Sequence, residues 1–273
     1  MTNREPETRR DIASLDQLIG VIDLCNAQCV HAVAGNRSEY RPLELTSGNP
    51  SGLLNAYARV GIRDVYIADI DALTRQEPQV ELLRQLVRVA DGLGQMVWLD
   101  AGWNPKLSRE TVRRIDHENL HWIAATESML DPSDIEGLWS IVDSGRVALS
   151  LDLHDGRLKC GCTGETNLAA WLEIAAKRAC KNVIVLDTAF VGTGKAPGPP
   201  KHIKEIIEWL DQNAQEPLVI SGGGLSQIED KHFWLSAGVD RVLVATALHR
   251  RMRETGDFII QSCPTPMNDS AGD

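Results

Sequence analysis

Eight short apolar runs punctuate the chain: IGVIDL (19–24), VYIADI (65–70), MVWLD (96–100), LHWIAA (120–125), VALSLD (147–152), VIVLD (183–187), PLVIS (217–221) and RVLVA (241–245). Most consist of Val, Ile, Leu and Ala without clean polar alternation, the pattern of strands buried on both faces. Amphipathic segments separate them. The segment 80–93 carries Leu82, Leu83, Leu86, Val87 and Ala90 at helical spacing. Asn49-Pro50-Ser51 opens a helix over 53–60, Ser108 suits the cap of RETVRRI (109–115), and Asp131-Pro132-Ser133 precedes a helix over 134–142. Further helices are predicted over 167–180, 202–210 and 226–236, and another begins in ALHRR after the eighth run. Gly61, Gly94, Gly145 and Gly238 stand just before runs two, three, five and eight, where helices should end.

Strands alternating with helices make βαβ units and a parallel sheet. Eight units at roughly 30-residue spacing predict a closed (β/α)8 barrel, an α/β fold of about 250 residues, in a chain of 273. An open doubly wound sheet is the alternative, but it usually has fewer strands and no GxGxxG turn follows the first run. The expected organisation is a polar arm over 1–15, a single barrel domain over 16–258 and a Pro-containing polar tail over 259–273.

Five runs end on aspartate: Asp23, Asp69, Asp100, Asp152 and Asp187. Barrel enzymes draw their catalytic groups from strand C-termini. Aspartate also caps turns, but five at one edge would ring one mouth. Asp23 on the first strand and Asp152 on the fifth would face each other there, which suits general acid–base work if their environments separate their pKa values. Such a ring would also suit a cationic group or a hard metal ion.

Composition narrows the partner. A net charge of −10 and a hydrophobic fraction of 43% describe an acidic globular protein, which argues against nucleic acid or anionic membrane as the main partner. The N-terminal segment lacks the apolar centre of a secretory signal and no run approaches the length of a membrane helix, so a cytoplasmic protein with reduced thiols is expected. Ser221-Gly222-Gly223-Gly224 after the seventh run and Ala245-Thr246 before a helix after the eighth occupy the usual phosphate site of a barrel; a plain structural turn is the competing reading. The glycine-rich loop 191–200, with Lys195, reads as a lid or a solvated linker. Cys25, Cys29 and His31 after the first run, with His154, Cys160 and Cys162 after the fifth, raise the question of zinc. Their spacings match no recognised ligand pair, so small apolar cysteines are the preferred reading and neither metal nor cofactor is expected. Trp103 alone among seven tryptophans falls in a mouth loop, where it would suit stacking.

These motifs together resemble those of the histidine-biosynthesis barrels, the HisA/HisF family, from about Gly20 to Leu248. Ile22-Asp23-Leu24 with the later Gly35 is similar to the family's first-strand motif, Tyr66 to Asp71 to its second, and Leu149-Ser150-Leu151-Asp152 with Gly156-Arg157 to its fifth. Ser221 to Ser226 and Val242 to Leu248 resemble its two phosphate loops. The resemblance implies Asp23 and Asp152 as the inherited acid–base pair and one phosphate site at the seventh and eighth strands. The departures lie elsewhere. Where the family has a "GGGIR" turn after strand three, this chain reads Asp100-Ala101-Gly102-Trp103-Asn104, and its sixth-strand "TDIxRDGT" becomes Leu186 to Thr193 without the arginine. Ala245-Thr246 stands in place of Gly-Arg. The resemblance therefore implies a monophosphorylated small-molecule substrate, with Asp69, Asp100, Trp103 and Asp187 as binding residues. It places the chain among divergent members associated with tetrahydromethanopterin-type one-carbon metabolism, with the family's carboxamide ribotide isomerase reaction or a non-catalytic binding barrel as alternatives.

Overall fold

The computed structural model describes residues 15–32, 39–161, 167–195, 198–214 and 216–256. The expected arm, apart from Leu15, and the expected tail lie outside them, as does Cys162. Eleven strands form one sheet: β1 (Leu18–Cys25), β2 (Gln28–His31), β3 (Arg41–Pro42), β4 (Asp64–Asp69), β5 (Met96–Asp100), β6 (Leu120–Ala125), β7 (Val147–His154), β8 (Arg157–Leu158), β9 (Asn182–Asp187), β10 (Leu218–Gly222) and β11 (Arg241–Val244). Eight of them, in the order β1-β4-β5-β6-β7-β9-β10-β11, pair in parallel. The ring closes where Leu18, Ile19 and Gly20 pair with Val242, Leu243 and Val244. The protein is a (β/α)8 barrel, and its eight parallel strands coincide with the eight apolar runs to within two residues.

Nine helices accompany the strands among the described residues: α1 (Pro50–Arg59), α2 (Ile70–Arg75), α3 (Val80–Gly92), α4 (Arg109–Ile115), α5 (Ile135–Trp139), α6 (Leu168–Lys177), α7 (Lys201–Asn213), α8 (Lys231–Leu235) and α9 (Thr246–Thr255). Their caps are local. Asn49 accepts from the Gly52 amide at 3.1 Å and Ser108 from the Thr111 amide at 3.0 Å. In α3 the buried side chains are Leu83, Leu86, Val87 and Ala90, the i, i+3, i+4, i+7 stripe, each larger one contributing about 2 kcal/mol by burial. Gly61, Gly94 and Gly238 take positive φ at helix ends, whereas Gly145 does not and lies in a 3-10 turn.

Three features were absent from the sequence reading. The short helix α2 follows β4 directly. β1 runs past the barrel rim into an antiparallel hairpin with β2, through a turn with positive φ at Asn26 and Ala27, and β3 extends it. β7 does the same with β8, through Asp155 and Gly156, both at positive φ. Such turns match the twist of the strands they join. The two hairpins rise from strands four places apart in the ring, on opposite sides of the mouth.

The core has two layers. Ile19, Tyr66, Ala68, Trp98, Ile123, Ala125, Ala148, Ile184, Ile220 and Leu243 fill the inside of the barrel, while the alternate strand residues pack outward against the helices. β10 approaches β11 closely at Gly222. A Cβ on Gly222 would lie 2.4 Å from the Leu243 carbonyl oxygen and 2.8 Å from its amide nitrogen. Gly222→Ala should therefore cost about 1–3 kcal/mol by overpacking, read as a lower urea midpoint at unchanged slope; an unaltered midpoint would show that these strands separate freely.

Candidate active site

Strand parity divides the five terminal aspartates. Successive strand residues point to opposite faces. In β1 the inward series is Ile19, Val21, Asp23; in β5 it is Trp98, Asp100; in β7 it is Ala148, Ser150, Asp152. These three aspartates continue interior series, and all three line one cavity of about 720 Å³ at the strand C-termini. Asp69 follows Ile67, and Asp187 follows Val185; both belong to the outward series that faces the helices. Neither lines the cavity.

The inward carboxyls are desolvated. Burial pushes Asp23 up to about 7, and among the described residues nothing hydrogen-bonds its carboxylate. Burial pushes Asp152 up to about 6, helped by the Glu127 carboxylate and opposed by the Ser150 hydroxyl and Lys159. Asp152 accepts from Ser150 Oγ at 3.0 Å, while its own amide donates to Thr126 Oγ1 at 2.9 Å. Asp100 is raised further, by burial and then by Asp152 and Glu127; it accepts from the Gly102 amide at 3.1 Å and the Tyr66 hydroxyl at 3.4 Å. Asp100, Glu127 and Asp152 thus crowd one side of the mouth, and the like charges add to burial in raising Asp100 and Asp152. Lys159 bonds Glu127 there.

The outward aspartates hold loops. Asp69 caps α2, accepting from the amides of Asp71 at 3.1 Å and Ala72 at 3.2 Å, and grips Gln79 through both its amide and its side chain. Gln79 in turn accepts from Ala27 at 2.7 Å, and Asp71 from Asn26 at 2.8 Å, so this cluster pins the β1–β2 turn. Asp187 accepts from the amides of Asp155, Gly156 and Ala189 at 3.0, 2.8 and 3.0 Å and contacts His202 Nε2 at 2.8 Å, pinning the β7–β8 turn. Trp103 also departs from expectation. It is 3% exposed, packs against Gly137 and donates to the Asp134 carbonyl at 3.1 Å, beneath α5 and away from the cavity. Asp69, Asp187 and Trp103, expected as binding residues, do not line the cavity.

The glycine-rich turns are likewise divided. Gly223, Gly224, Ala245 and Thr246 line the cavity, and the N-terminus of the ten-residue α9 opens on it. Ser221 is fully buried and spends its hydroxyl on the Val185 carbonyl at 2.6 Å; Gly222 is wedged against β11, and neither reaches the cavity. Val191, Gly192 and Gly194 of the loop after β9 close one wall, whereas Lys195 lies on a separate surface depression. The sequence reading missed Tyr66, Glu127, Lys159 and His249, all of which line the cavity, and it considered His31, which lines it too, only as a metal ligand. Parity would have exposed Tyr66, two residues before inward Ala68. Glu127 and Lys159 carry no local signal, since a loop and an unforeseen hairpin place them.

Among the described residues no group of three or more His, Cys, Asp or Glu is disposed to hold a metal ion. Cys25, Cys29 and Cys180 are free thiols; Cys29 meets Thr46 Oγ1 at 3.3 Å and Cys25 meets Asp71 at 3.7 Å. Cys160 is disulfide-bonded, against the expectation of reduced thiols throughout. His154 contacts Thr188 Oγ1 at 3.1 Å at the exposed rim. No helix among the described residues is long and apolar enough to cross a membrane.

A closed barrel with acidic groups and a glycine-lined helix N-terminus at its C-terminal mouth has the layout of a barrel enzyme. The chain belongs to the histidine biosynthesis protein family of HisA/HisF-like barrels, whose family model matches residues 17–254. It is similar to an uncharacterized protein of Methanocaldococcus jannaschii, 28% identical over 246 residues, covering 89% of this chain and 97% of that one. It is also similar to the 1-(5-phosphoribosyl)-5-((5-phosphoribosylamino)methylideneamino) imidazole-4-carboxamide isomerases of Lacticaseibacillus paracasei, 22% identical over 234 residues, and Methanothermobacter thermautotrophicus, 23% identical over 237. Each of these two alignments covers 85% of this chain and 93% of the relative.

Two outcomes follow from the division of the aspartates. Asp187→Ala should cost about 3 kcal/mol, because it strands several donors at once, and should speed hydrogen exchange at Asp155 and Gly156; unchanged exchange would mean that the turn holds itself. For Asp23, the folded state binds its proton more tightly than the unfolded chain. The resulting penalty is absent below about pH 4, grows as pH rises and is complete above about pH 7. Asp23→Asn should therefore be more stable than the parent at pH 8 and no more stable near pH 4; thermal melts at both values check this.

Proposed function

We propose that this protein is an enzyme acting on a small monophosphorylated metabolite by general acid–base catalysis between Asp23 and Asp152. The observation that carries this reading is the pair itself: two carboxyls on opposed strands β1 and β7, facing one cavity, raised by burial to about 7 and about 6. Groups poised near the working pH exchange protons most effectively. Asp23, free of hydrogen bonds among the described residues, acts as the general base. Asp152, held by Ser150 and beside Glu127, acts as the general acid. Isomerisation, ring opening, condensation and lyase chemistry all need this pair of proton transfers.

The phosphate sits at Gly223, Gly224, Ala245 and Thr246, where α9 offers first-turn N–H groups that no carbonyl in the helix satisfies. One phosphate, not two, suits the charge of the mouth. The described lining contains one lysine, Lys159, already bonded to Glu127, and no arginine. A second phosphate opposite would lie against Asp100, Glu127 and Asp152. Asp100 instead contacts a polar or cationic part of the substrate. We further propose a cytoplasmic reaction in one-carbon cofactor biosynthesis of the tetrahydromethanopterin type; the loss of the isomerase-like turns after the third and sixth barrel strands supports a reaction other than the isomerase's.

A second reading, the carboxamide ribotide isomerase reaction itself, is favoured by the isomerase relatives. Complementation of a histidine auxotroph lacking that isomerase separates the two, and no growth is expected. For the main reading, the wild-type protein incubated with a cytosolic metabolite extract should deplete a phosphorylated compound by mass spectrometry. Asp23→Asn and Asp152→Asn should each abolish that depletion while remaining folded. Inorganic phosphate should raise the melting temperature of all three proteins; full activity in both variants, or no stabilisation by phosphate, overturns the assignment.

A further inference from the structure

His249, in the cavity wall beside the glycine turns, is backed by Tyr57, which does not itself line the cavity, and the acid–base mechanism uses neither residue. Tyr57 on α1 is fully buried against β1, in a space open only because residue 20 is glycine: a Cβ there would lie 2.7 and 2.8 Å from the tyrosine ring. The Tyr57 hydroxyl lies 2.8 Å from the Val21 carbonyl oxygen and 2.6 Å from Nε2 of His249. The two rings are within 14° of parallel.

Proton counting settles the tautomer. A phenol has one hydrogen, and a carbonyl has none to offer. The Tyr57 hydrogen is therefore committed to Val21, so the short contact to His249 needs a hydrogen on Nε2. The imidazole then carries a bare lone pair on Nδ1. His249 is 5% exposed and lines the cavity, and Nδ1 has no hydrogen-bond partner among the described residues. In α9 it stands one turn beyond Thr246.

We infer that His249 is a specificity-determining residue, a neutral hydrogen-bond acceptor that reads a hydroxyl group on the ligand carbon chain next to its phosphate. This rests on the phosphate reading above and adds the chemical class of the group attached to it. A lone pair repels phosphate oxygens, so Nδ1 is not a second phosphate ligand; it needs a donor. Burial, then the neighbouring His31 and Arg253, hold the imidazole pKa down at about 3, so the ring stays uncharged at neutral pH. Tyr57 acts through His249 as a positioning residue, fixing which nitrogen is bare.

Isothermal titration with glycerol 3-phosphate, propyl phosphate and inorganic phosphate tests the inference. Propyl phosphate matches the first ligand in length and lacks its hydroxyls. The wild-type protein should prefer glycerol 3-phosphate to propyl phosphate roughly tenfold, the effect of one hydrogen bond. His249→Leu and Tyr57→Phe should lose that preference, and His249→Asn, which keeps an acceptor near Nδ1, should retain part of it. Nitrogen NMR of the histidines should show the Nε2–H tautomer at residue 249 in the wild type and a changed tautomer in Tyr57→Phe; thermal melts confirm that each variant is folded. Absence of binding by all three ligands overturns the phosphate reading. Phosphate binding with no hydroxyl preference, a preference that survives His249→Leu, or an Nδ1–H tautomer overturns the role of His249 alone.

Discussion

Closure of the sheet between β1 and β11 is the constraint on which the rest depends. Three residue pairs, Leu18 to Gly20 against Val242 to Val244, turn a ribbon of parallel strands into a ring with no exposed edge. Once closed, the two faces of every strand become inside and outside, and the period of two along each strand acquires meaning. The interior takes one set of apolar residues and the helix layer takes the other. The close approach of Gly222 to Leu243 belongs to the same constraint, since those strands lie next to the seam.

From that division follow two environments for one residue type. Inward aspartates enter the barrel mouth, where few N–H groups point at them and burial raises their pKa. Asp23 is the extreme case, with no hydrogen-bonding partner among the described residues. Outward aspartates meet the amides of turns and of a helix start, and they spend their lone pairs there. Asp187 accepts three backbone N–H groups. The inward set holds the cost of desolvation as raised proton affinity; the outward set, in which burial raises Asp69 as well, lowers the energy of the loops.

Those loops shape the mouth. The β1–β2 turn is held from β4 and α2 through Gln79 and Asp71, and the β7–β8 turn from β9 through Asp187. In each case a carboxylate at the end of the next barrel strand anchors the cluster. The same device therefore recurs on opposite sides of the ring. One hairpin brings His31 to the cavity and the other brings Lys159, which bonds Glu127 beside Asp152. Residues far apart in the chain thus meet because two hairpins lean over one opening, and the proposed acid–base pair is set among neighbours that the isomerase-like motifs do not include.

The sequence alone carried the barrel. Eight buried-strand runs, the helical stripes between them and the caps at Asn49 and Ser108 are local signals, and the elements formed where local chemistry placed them. The ring of aspartates at strand ends was legible for the same reason, as were the glycine turns after the seventh and eighth runs. What the residues in order could not convey was direction and distance. Asp69 and Asp23 look alike in sequence, each a carboxyl after an apolar run, and only strand parity within a closed barrel sends one to a helix cap and the other to the cavity. Trp103 reads as a mouth residue until α5 covers it. Glu127, Lys159 and the Tyr57–His249 pair depend on contacts between segments 32 and 192 residues apart. Local propensity has no access to such contacts, because burial and hydrogen-bond partners at those positions exist only after the sheet has closed.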